Sequence, residues 1–114
     1  AFDSPIAGFQ NTQFKLAECV TKIQIHQAFM DRCVELLVEH KLTTETASMI
    51  KYSATEMCSN VVDECLQLFG GYGYIWDYPI ARMYADNRVA RIYAGTNEIM
   101  KIVIARGLFK DVSK

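Results

Sequence analysis

The feature that most constrains the fold is a helical repeat of apolar residues between about Asn11 and His40. Apolar residues recur there at alternating steps of four and three, which places them on one face of an α-helix. Further apolar side chains flank this face, so we expect a helix of about 30 residues that is buried on more than one side. The positions of the stripe, in which only Gln27 is polar, are Leu16, Val20, Ile23, Gln27, Met30, Val34 and Leu37.

A second stripe of the same period follows after a short connection. Thr43 or Thr44 can cap the helix, and Glu45 stands favourably in its first turn. The helix is expected to end at Gly70 and Gly71, because glycine accepts the left-handed conformation that a C-terminal cap needs. Two helices of similar length joined by a few residues should pack antiparallel. The stripe consists of Ala47, Ile50, Ala54, Met57, Val61 and Leu68.

The remainder of the chain predicts two shorter helices. A connection rich in glycine and aromatic residues spans 70–78, and Pro79 suits the first turn of a third helix that runs to about Ile92. The segment 93–96 interrupts the pattern, and Thr96 or Asn97 starts a last helix that ends near Leu108. No segment alternates as a strand does. We therefore expect an all-α fold, an antiparallel four-helix up-and-down bundle that forms one domain over residues 1–114.

Composition excludes several classes of function. Twelve basic and thirteen acidic residues give a formal charge of −1, which argues against binding to nucleic-acid phosphates. No apolar run approaches the roughly 20 residues of a membrane span, and no signal peptide is visible. The start at Ala1 is interpreted as that of a processed protein or a fragment.

The four cysteines lie within predicted helices and form no CxxC pair. We expect reduced, mostly buried thiols. A disulfide framework or a zinc site is a weaker alternative, since only His26 and His40 could assist as metal ligands. The cysteines are Cys19, Cys33, Cys58 and Cys65.

Two loops carry the candidate chemistry, since the chain contains neither a nucleophile elbow nor a lysine-bearing phosphate loop. In residues 67–74 (QLFGGYGY), three glycines in four positions let a ligand approach the backbone, although a plain helix stop has the same composition. In residues 92–99 (IYAGTNEI), a Gly-Thr step at a helix start presents free N–H groups and a hydroxyl to an anionic ligand. By itself this second segment is more typical of a plain helix cap than of a binding site.

Taken together, in this order and separation, the two strings resemble the C-terminal helical domain of the acyl-CoA dehydrogenases, which are flavoproteins. The patterns LQxFGGxGY and IYxGTxEI are specific in combination, and the stretch 94–101 resembles the long-chain type most. The resemblance covers nearly the whole chain. It includes Ala1–Phe2, Pro5–Ile6, Phe9–Gln10, Phe14–Glu18, Gln67–Gly73, Tyr78–Ile80, Arg82, Asp86 and Ile92–Ile99.

The resemblance implies FAD as the cofactor and a role for each matching residue. Phe2 belongs to a cofactor-contact string whose arginine would precede Ala1. Positions that touch the adenosine–pyrophosphate part of FAD across a subunit interface are matched by Gln10, Gln67, Gly70 and Gly71. Thr96 and Glu98 match positions at the cofactor of the same subunit, and Tyr93 and Gly95 match positions beside the substrate thioester.

Ala94 departs from the pattern of many family members, which carry glutamate there as the general base that removes the substrate α-proton while the flavin takes the β-hydride. Alanine has no proton acceptor, so this chain is expected to contain no catalytic base. In the long-chain and isovaleryl types the base comes from an earlier helix, which here would precede Ala1. Glu98 is a poor substitute because it matches a flavin-contact position.

The resemblance implies an FAD-binding and oligomerisation domain, itself inactive, of a larger homo-oligomeric enzyme arranged as a dimer of dimers. That enzyme would oxidise acyl-CoA to trans-2-enoyl-CoA and pass electrons to electron-transfer flavoprotein, in the mitochondrial matrix or the bacterial cytoplasm. Two alternatives remain: a domain of an acyl-CoA oxidase, or a non-enzymatic helical interaction module. The retained Gln67, Gly70, Gly71 and Thr96 argue against the module.

Overall fold

The computed structural model describes residues 5–110, which form four α-helices and contain no strand. The all-α prediction is confirmed. The α-helices are α1 (Gln10–Val38), α2 (Thr44–Phe69), α3 (Pro79–Arg88) and α4 (Asn97–Phe109). Three short 3₁₀ turns accompany them at Ile6–Gly8, Gly70–Tyr74 and Val89–Arg91.

Helix α2 is the centre of the fold, because α1, α3 and α4 all pack against it. Helix α1 runs antiparallel to α2. Lys15 forms an ion pair of 3.7 Å with Glu64, and the Lys22 ammonium donates to Asn60 Oδ1 at 2.9 Å. The expected antiparallel pairing of the two long helices is thus present.

Helices α3 and α4 follow one another along the other side of α2. The Tyr78 ring before α3 lies 6.2 Å from that of Phe69 at the end of α2. Further along, Asn87 Nδ2 donates to Ser59 Oγ at 2.9 Å. At the far end of α4, a Cβ on Gly107 would lie 2.6 Å from Glu45 Cγ, so the end of α4 contacts the start of α2. The connection between α3 and α4 therefore packs against α2 at a point between the two ends of that helix.

The helix ends follow local chemistry at most positions. Thr43 caps α2, its Oγ1 accepting from Thr46 N at 3.1 Å. Gly70 ends that helix with φ 60° and ψ −138°, a region open essentially to glycine. The third helix, predicted to run to about Ile92, is α-helical to Arg88 and continues as a 3₁₀ turn to Arg91.

Helix α1 ends in a left-handed cap at His40, whose φ is 57°. The His40 amide donates to Leu37 O at 3.1 Å and the Lys41 amide donates to Leu36 O at 2.8 Å. This is the paired hydrogen bonding of a Schellman motif, which normally uses glycine at the left-handed position.

The apolar stripe of α1 is largely exposed within this chain. Val20 is 57% exposed and Leu37 61%, and the radius of gyration is 17.9 Å, against about 13 Å for a compact domain of this size. The expectation that α1 is buried on more than one side is wrong for the chain alone, because α1 packs on α2 and not comparably on α3 or α4. Helical periodicity shows that a face needs a partner, but not which chain supplies it.

The cysteines are free thiols, as expected. Cys19 and Cys33 are buried, and Cys58 and Cys65 are half-buried. Burial raises the pKa of the Cys19 thiol, and the neighbouring Cys65 and Glu64 raise it further. Within residues 5–110 no cluster of His, Cys, Asp or Glu could hold a metal ion, and no helix has the length and apolar character of a membrane span.

Candidate functional site

The predicted site residues fall into two groups that lie at different places along α2. Gln10 and the segment 67–74, here called the glycine loop, share one end of the α1–α2 pair. Residues 92–98, here called the junction loop, connect α3 to α4. Phe2, the remaining predicted cofactor residue, lies outside the described residues.

The start of α1 and the end of α2 bring Gln10 near the glycine loop. An apolar cleft of about 280 Å³ separates the two segments. Its walls come from both ends, with Ile6, Ala7, Thr12 and Leu16 facing Cys65, Leu68 and Phe69.

Two of the three glycines in the glycine loop have a structural reason within this chain to be glycine, and the third has none. Gly70 has a positive φ of 60°. A Cβ on Gly73 would lie 2.6 Å from the Leu66 carbonyl oxygen, so close packing inside the chain requires glycine there. Gly71 has neither constraint: its φ is not positive, and a Cβ there would meet nothing within 4 Å. The expectation that Gly71 shares the cap conformation of Gly70 is therefore wrong, and any requirement for glycine at 71 lies outside this chain.

The polar groups of this end are open to solvent, whereas aromatic rings hold its backbone. The Tyr78 ring lies 5.5 Å from that of Tyr72 and 6.2 Å from that of Phe69. Gln10 and Gln67 are exposed, and neither amide has a hydrogen-bond partner in the part of the chain that the structure describes. The loop thus presents unused donors and acceptors on a fixed support.

The junction loop makes a sharp turn before α4. Ala94 and Gly95 have φ values of 56° and 89°, and a left-handed alanine costs roughly 1–2 kcal/mol. Thr96 then caps α4, its Oγ1 accepting from Ile99 N at 3.2 Å. The predicted helix start at Thr96 or Asn97 is confirmed.

A buried polar network that the sequence did not reveal holds this loop against α2. The Lys51 ammonium donates to Gly95 O at 2.6 Å and to Asn97 Oδ1 at 2.9 Å. Asn97 Nδ2 donates to Thr55 Oγ1 at 3.0 Å and to Tyr52 O at 3.3 Å. Asn97 is 2% exposed, so its amide is a buried polar group that the network satisfies.

In the junction loop, the candidate cofactor residues line a cleft, whereas the candidate substrate residues lie on an exposed face. Thr96 and Glu98 line a cleft of about 180 Å³ together with Arg88 and Arg91. Arg91 Nε is buried there with no hydrogen-bond partner among residues 5–110. The substrate candidates, Tyr93 and Gly95, are both exposed.

The two groups do not converge within one chain. The junction loop binds α2 at Lys51, Tyr52 and Thr55. About 12 residues of helix separate Thr55 from Gln67, a rise of roughly 18 Å. The candidate residues therefore form two half-sites at different places along α2.

Comparisons with known proteins give one consistent result. Residues 1–109 match the family described as "Acyl-CoA dehydrogenase, C-terminal domain". The chain is 50% identical to the mitochondrial long-chain specific acyl-CoA dehydrogenase of Mus musculus over 97% of this chain and 26% of that protein. It is 43% identical to a 3-(aryl)acrylate reductase of Clostridium sporogenes over 96% of this chain and 29% of that protein.

The solved structures agree in fold. A crystal structure of an acyl-CoA dehydrogenase from Geobacillus kaustophilus superposes with a TM-score of 0.92 at 47% identity, over 95% of this chain and 28% of that one. The chain thus spans between a quarter and a third of the length of these proteins. The prediction that it is most like the long-chain type is confirmed by the mouse relative.

Proposed function

The chain belongs to the acyl-CoA dehydrogenase family as a C-terminal domain, and from this premise we propose that it is the FAD-binding and oligomerisation domain of a larger acyl-CoA dehydrogenase. The proposed enzyme oxidises acyl-CoA to trans-2-enoyl-CoA and passes the electrons to electron-transfer flavoprotein. The observation that carries the proposal is the pair of separate half-sites on α2, each with polar groups that no described residue satisfies. The enzyme would be located in the mitochondrial matrix or the bacterial cytoplasm.

The junction loop suits the cofactor of its own subunit. FAD, when bound, supplies the acceptor for the two electrons removed from the acyl chain. The Thr96 hydroxyl accepts from Ile99 N but has no acceptor of its own among the described residues, so it can donate to FAD. Glu98 and the arginine-lined cleft stand beside it. We assign Thr96 and Glu98 to this contact.

The glycine loop suits the cofactor of a neighbouring subunit. A pyrophosphate needs close backbone donors, and the open space above Gly71 permits that approach. We assign Gln10, Gln67, Gly70 and Gly71, together with Phe2, to cofactor contact. The resemblance matches these positions to the cofactor of a neighbouring subunit, and the separation of roughly 18 Å along α2 is compatible with two cofactors in contact with one chain.

The exposed stripe of α1 supports assembly into a homo-oligomer, proposed to be a dimer of dimers. Exposed large apolar side chains line α1 and continue into an apolar groove of about 380 Å³ between α1 and α2. Monomeric proteins rarely leave so long an apolar face uncovered. A protein that sediments as a monomer at high concentration would contradict this part of the proposal.

The substrate side of the junction loop lacks a proton acceptor. We place the thioester beside Tyr93 and Gly95, where Ala94 offers only a methyl group. The general base is therefore proposed to be a glutamate upstream of Ala1.

A set of variants of the full-length enzyme tests the displaced base. Neutralising the upstream glutamate should lower kcat by about 10²-fold, as loss of a general base does. Adding Ala94→Glu to that variant should restore part of the rate, only part because a base misplaced by about 1 Å loses much of its advantage. The mechanism is wrong if the upstream change is silent and Ala94→Gly abolishes activity.

The simplest test of the overall proposal uses the purified full-length protein. It should carry a flavin absorbance spectrum and oxidise acyl-CoA with electron-transfer flavoprotein as acceptor. Fast reoxidation of the reduced enzyme by oxygen would indicate an oxidase instead. A colourless protein with neither reaction would reject the proposal. The 114-residue chain alone should be strongly helical by circular dichroism and inactive with acyl-CoA and an artificial acceptor.

A further inference from the structure

We propose that Lys51 is a positioning residue whose ammonium fixes the Ala94–Gly95 turn independently of the cofactor contacts at Thr96 and Glu98. The proposal rests on the proposed function for its kinetic consequence, since the turn is where the substrate thioester would lie. Through Lys51, helix α2 would hold in place the part of the junction loop that lies beside the substrate.

The contact between Lys51 and the loop is short and charge-assisted. Lys51 Nζ lies 2.6 Å from Gly95 O and 2.9 Å from Asn97 Oδ1, whereas charge-assisted hydrogen bonds of an ammonium group are typically about 2.7–2.9 Å long. Lys51 is half-buried and forms no ion pair with any described carboxylate. The partners of this cation are therefore the neutral oxygens of the loop.

The turn has few other hydrogen bonds, although the Met100 side chain lies against Gly95. The last backbone hydrogen bonds before the turn are those from the Ile92 and Tyr93 amides to Val89 O, at 2.9 and 3.0 Å. Within residues 5–110, Gly95 has no hydrogen bond except that from Lys51, and Ala94 has none. Both residues have positive φ, and for alanine this conformation must be held by its surroundings.

The part of the junction loop that would contact the cofactor, at the start of α4, is held by hydrogen bonds that do not involve Lys51. Thr96 Oγ1 accepts from Ile99 N, and Thr96 O accepts from Met100 N at 3.0 Å. The Asn97 amide also donates to Tyr52 O and Thr55 Oγ1 without using Lys51. Removal of the ammonium should therefore release the Ala94–Gly95 turn and leave the start of α4 in place.

The experiment compares three variants of the full-length protein: Lys51→Met, which removes the donors, Lys51→Arg, which keeps a cationic donor, and Lys22→Met as a control. Lys22 matches in chemistry, because its ammonium also donates across two helices, to Asn60 Oδ1, but on the α1 side. Each variant is measured for flavin content, for kcat and KM with acyl-CoA, and for the rate of chymotrypsin cleavage after Tyr93.

For Lys51→Met we expect kcat/KM to fall by at least about tenfold, since displacement of a positioning group by about 1 Å can cost 10²-fold. Cleavage after Tyr93 should rise by a similar factor, because proteolysis follows local opening. Flavin content should equal that of the wild type. Lys51→Arg should recover part of the loss, and Lys22→Met should match the wild type throughout.

Three results would overturn the proposal: unchanged kinetics in Lys51→Met, unchanged cleavage after Tyr93, or loss of flavin in step with loss of turnover, which would mean a merely structural role. The cleavage assay does not depend on activity. If the wild-type protein lacks flavin and turnover while Lys51→Met is still cleaved selectively after Tyr93, the proposed function fails and the positioning of the loop by Lys51 stands.

Discussion

The junction loop and the glycine loop are both glycine-containing breaks between helices, yet they are completed in opposite ways. The junction loop is held from within by a buried network around Asn97. The glycine loop is held by ring contacts at Tyr78, while Gln67 and the space above Gly71 remain open. The first loop is held by hydrogen bonds within one chain, whereas the polar groups of the second are exposed and have no partner among the described residues.

The contrast predicts that loss of the buried Asn97 amide from the junction loop lowers stability, whereas changes at Gln67 and Gly71, the open positions of the glycine loop, affect binding. Gly73 differs from both, because its lack of a Cβ is required by packing inside the chain.

Asn97→Ala should lower the free energy of unfolding of the chain by about 3 kcal/mol. The change removes a buried amide that forms three hydrogen bonds, with Lys51 Nζ, Tyr52 O and Thr55 Oγ1, and each bond contributes about 0.5–1.5 kcal/mol. Thr55 Oγ1 keeps its hydrogen bond to Lys51 O. Urea unfolding followed by circular dichroism measures it. Asn60→Ala is the matched control, because that amide is exposed and accepts only from Lys22. Equal losses in the two variants would show that the buried network has no special role.

Gly73→Ala should destabilise the chain by about 2 kcal/mol, whereas Gly71→Ala should leave stability nearly unchanged. The added Cβ at 73 would lie 2.6 Å from Leu66 O, and a backbone atom can yield only by shifting α2 or the turn. At 71 the same methyl group meets nothing within 4 Å. The same urea titration compares the two, and a larger loss at Gly71 would show that the open backbone there is important for folding rather than for a ligand.

These two predictions also show how much could be obtained from the sequence. The letters GGYG predicted a helix stop, and Gly70 confirms it. They could not separate Gly71 from Gly73, because the difference lies in the position of the Leu66 carbonyl after folding. Likewise Asn97 was visible only as a possible helix start, and Lys51 stood in no motif, since a network of residues more than 40 positions apart leaves no local signal.

In the full-length enzyme, Gln67→Ala and Gly71→Val should each weaken FAD binding by about tenfold, or about 1.4 kcal/mol. The first removes an exposed amide, and the second fills the space through which the backbone would be approached. Helix content should stay at the wild-type level. Flavin content after dialysis and titration of the apoenzyme with FAD measure the effect. Normal FAD affinity in both variants would remove these residues from the site.

The long helices show a second limit of sequence reasoning. The helical period of the apolar residues in α1 and the cap at Thr43 can be predicted from the sequence, because both depend on residues within one or two helical turns. The exposure of the apolar stripe of α1 cannot be predicted in this way. The sequence pattern of an apolar helix face is the same whether α2 or another copy of the chain covers it. The change from α-helix to 3₁₀ turn after Arg88 was not predictable either, because no glycine or proline marks it.

The smallest effect is expected at the turn itself, where Ala94→Gly should stabilise the chain by about 0.5 kcal/mol. Glycine relieves the roughly 1–2 kcal/mol of strain that a left-handed alanine carries at φ 56°. Glycine also makes the unfolded chain more flexible, which costs about 0.4–1 kcal/mol, so the two effects nearly cancel. The small gain appears as a slightly higher urea midpoint, and the full-length variant should keep most of its activity because the methyl group does no proton transfer. A clear loss of stability would mean that the Ala94 methyl makes a contact worth more than its strain, and the junction loop would then depend on apolar packing as well as on its buried polar network.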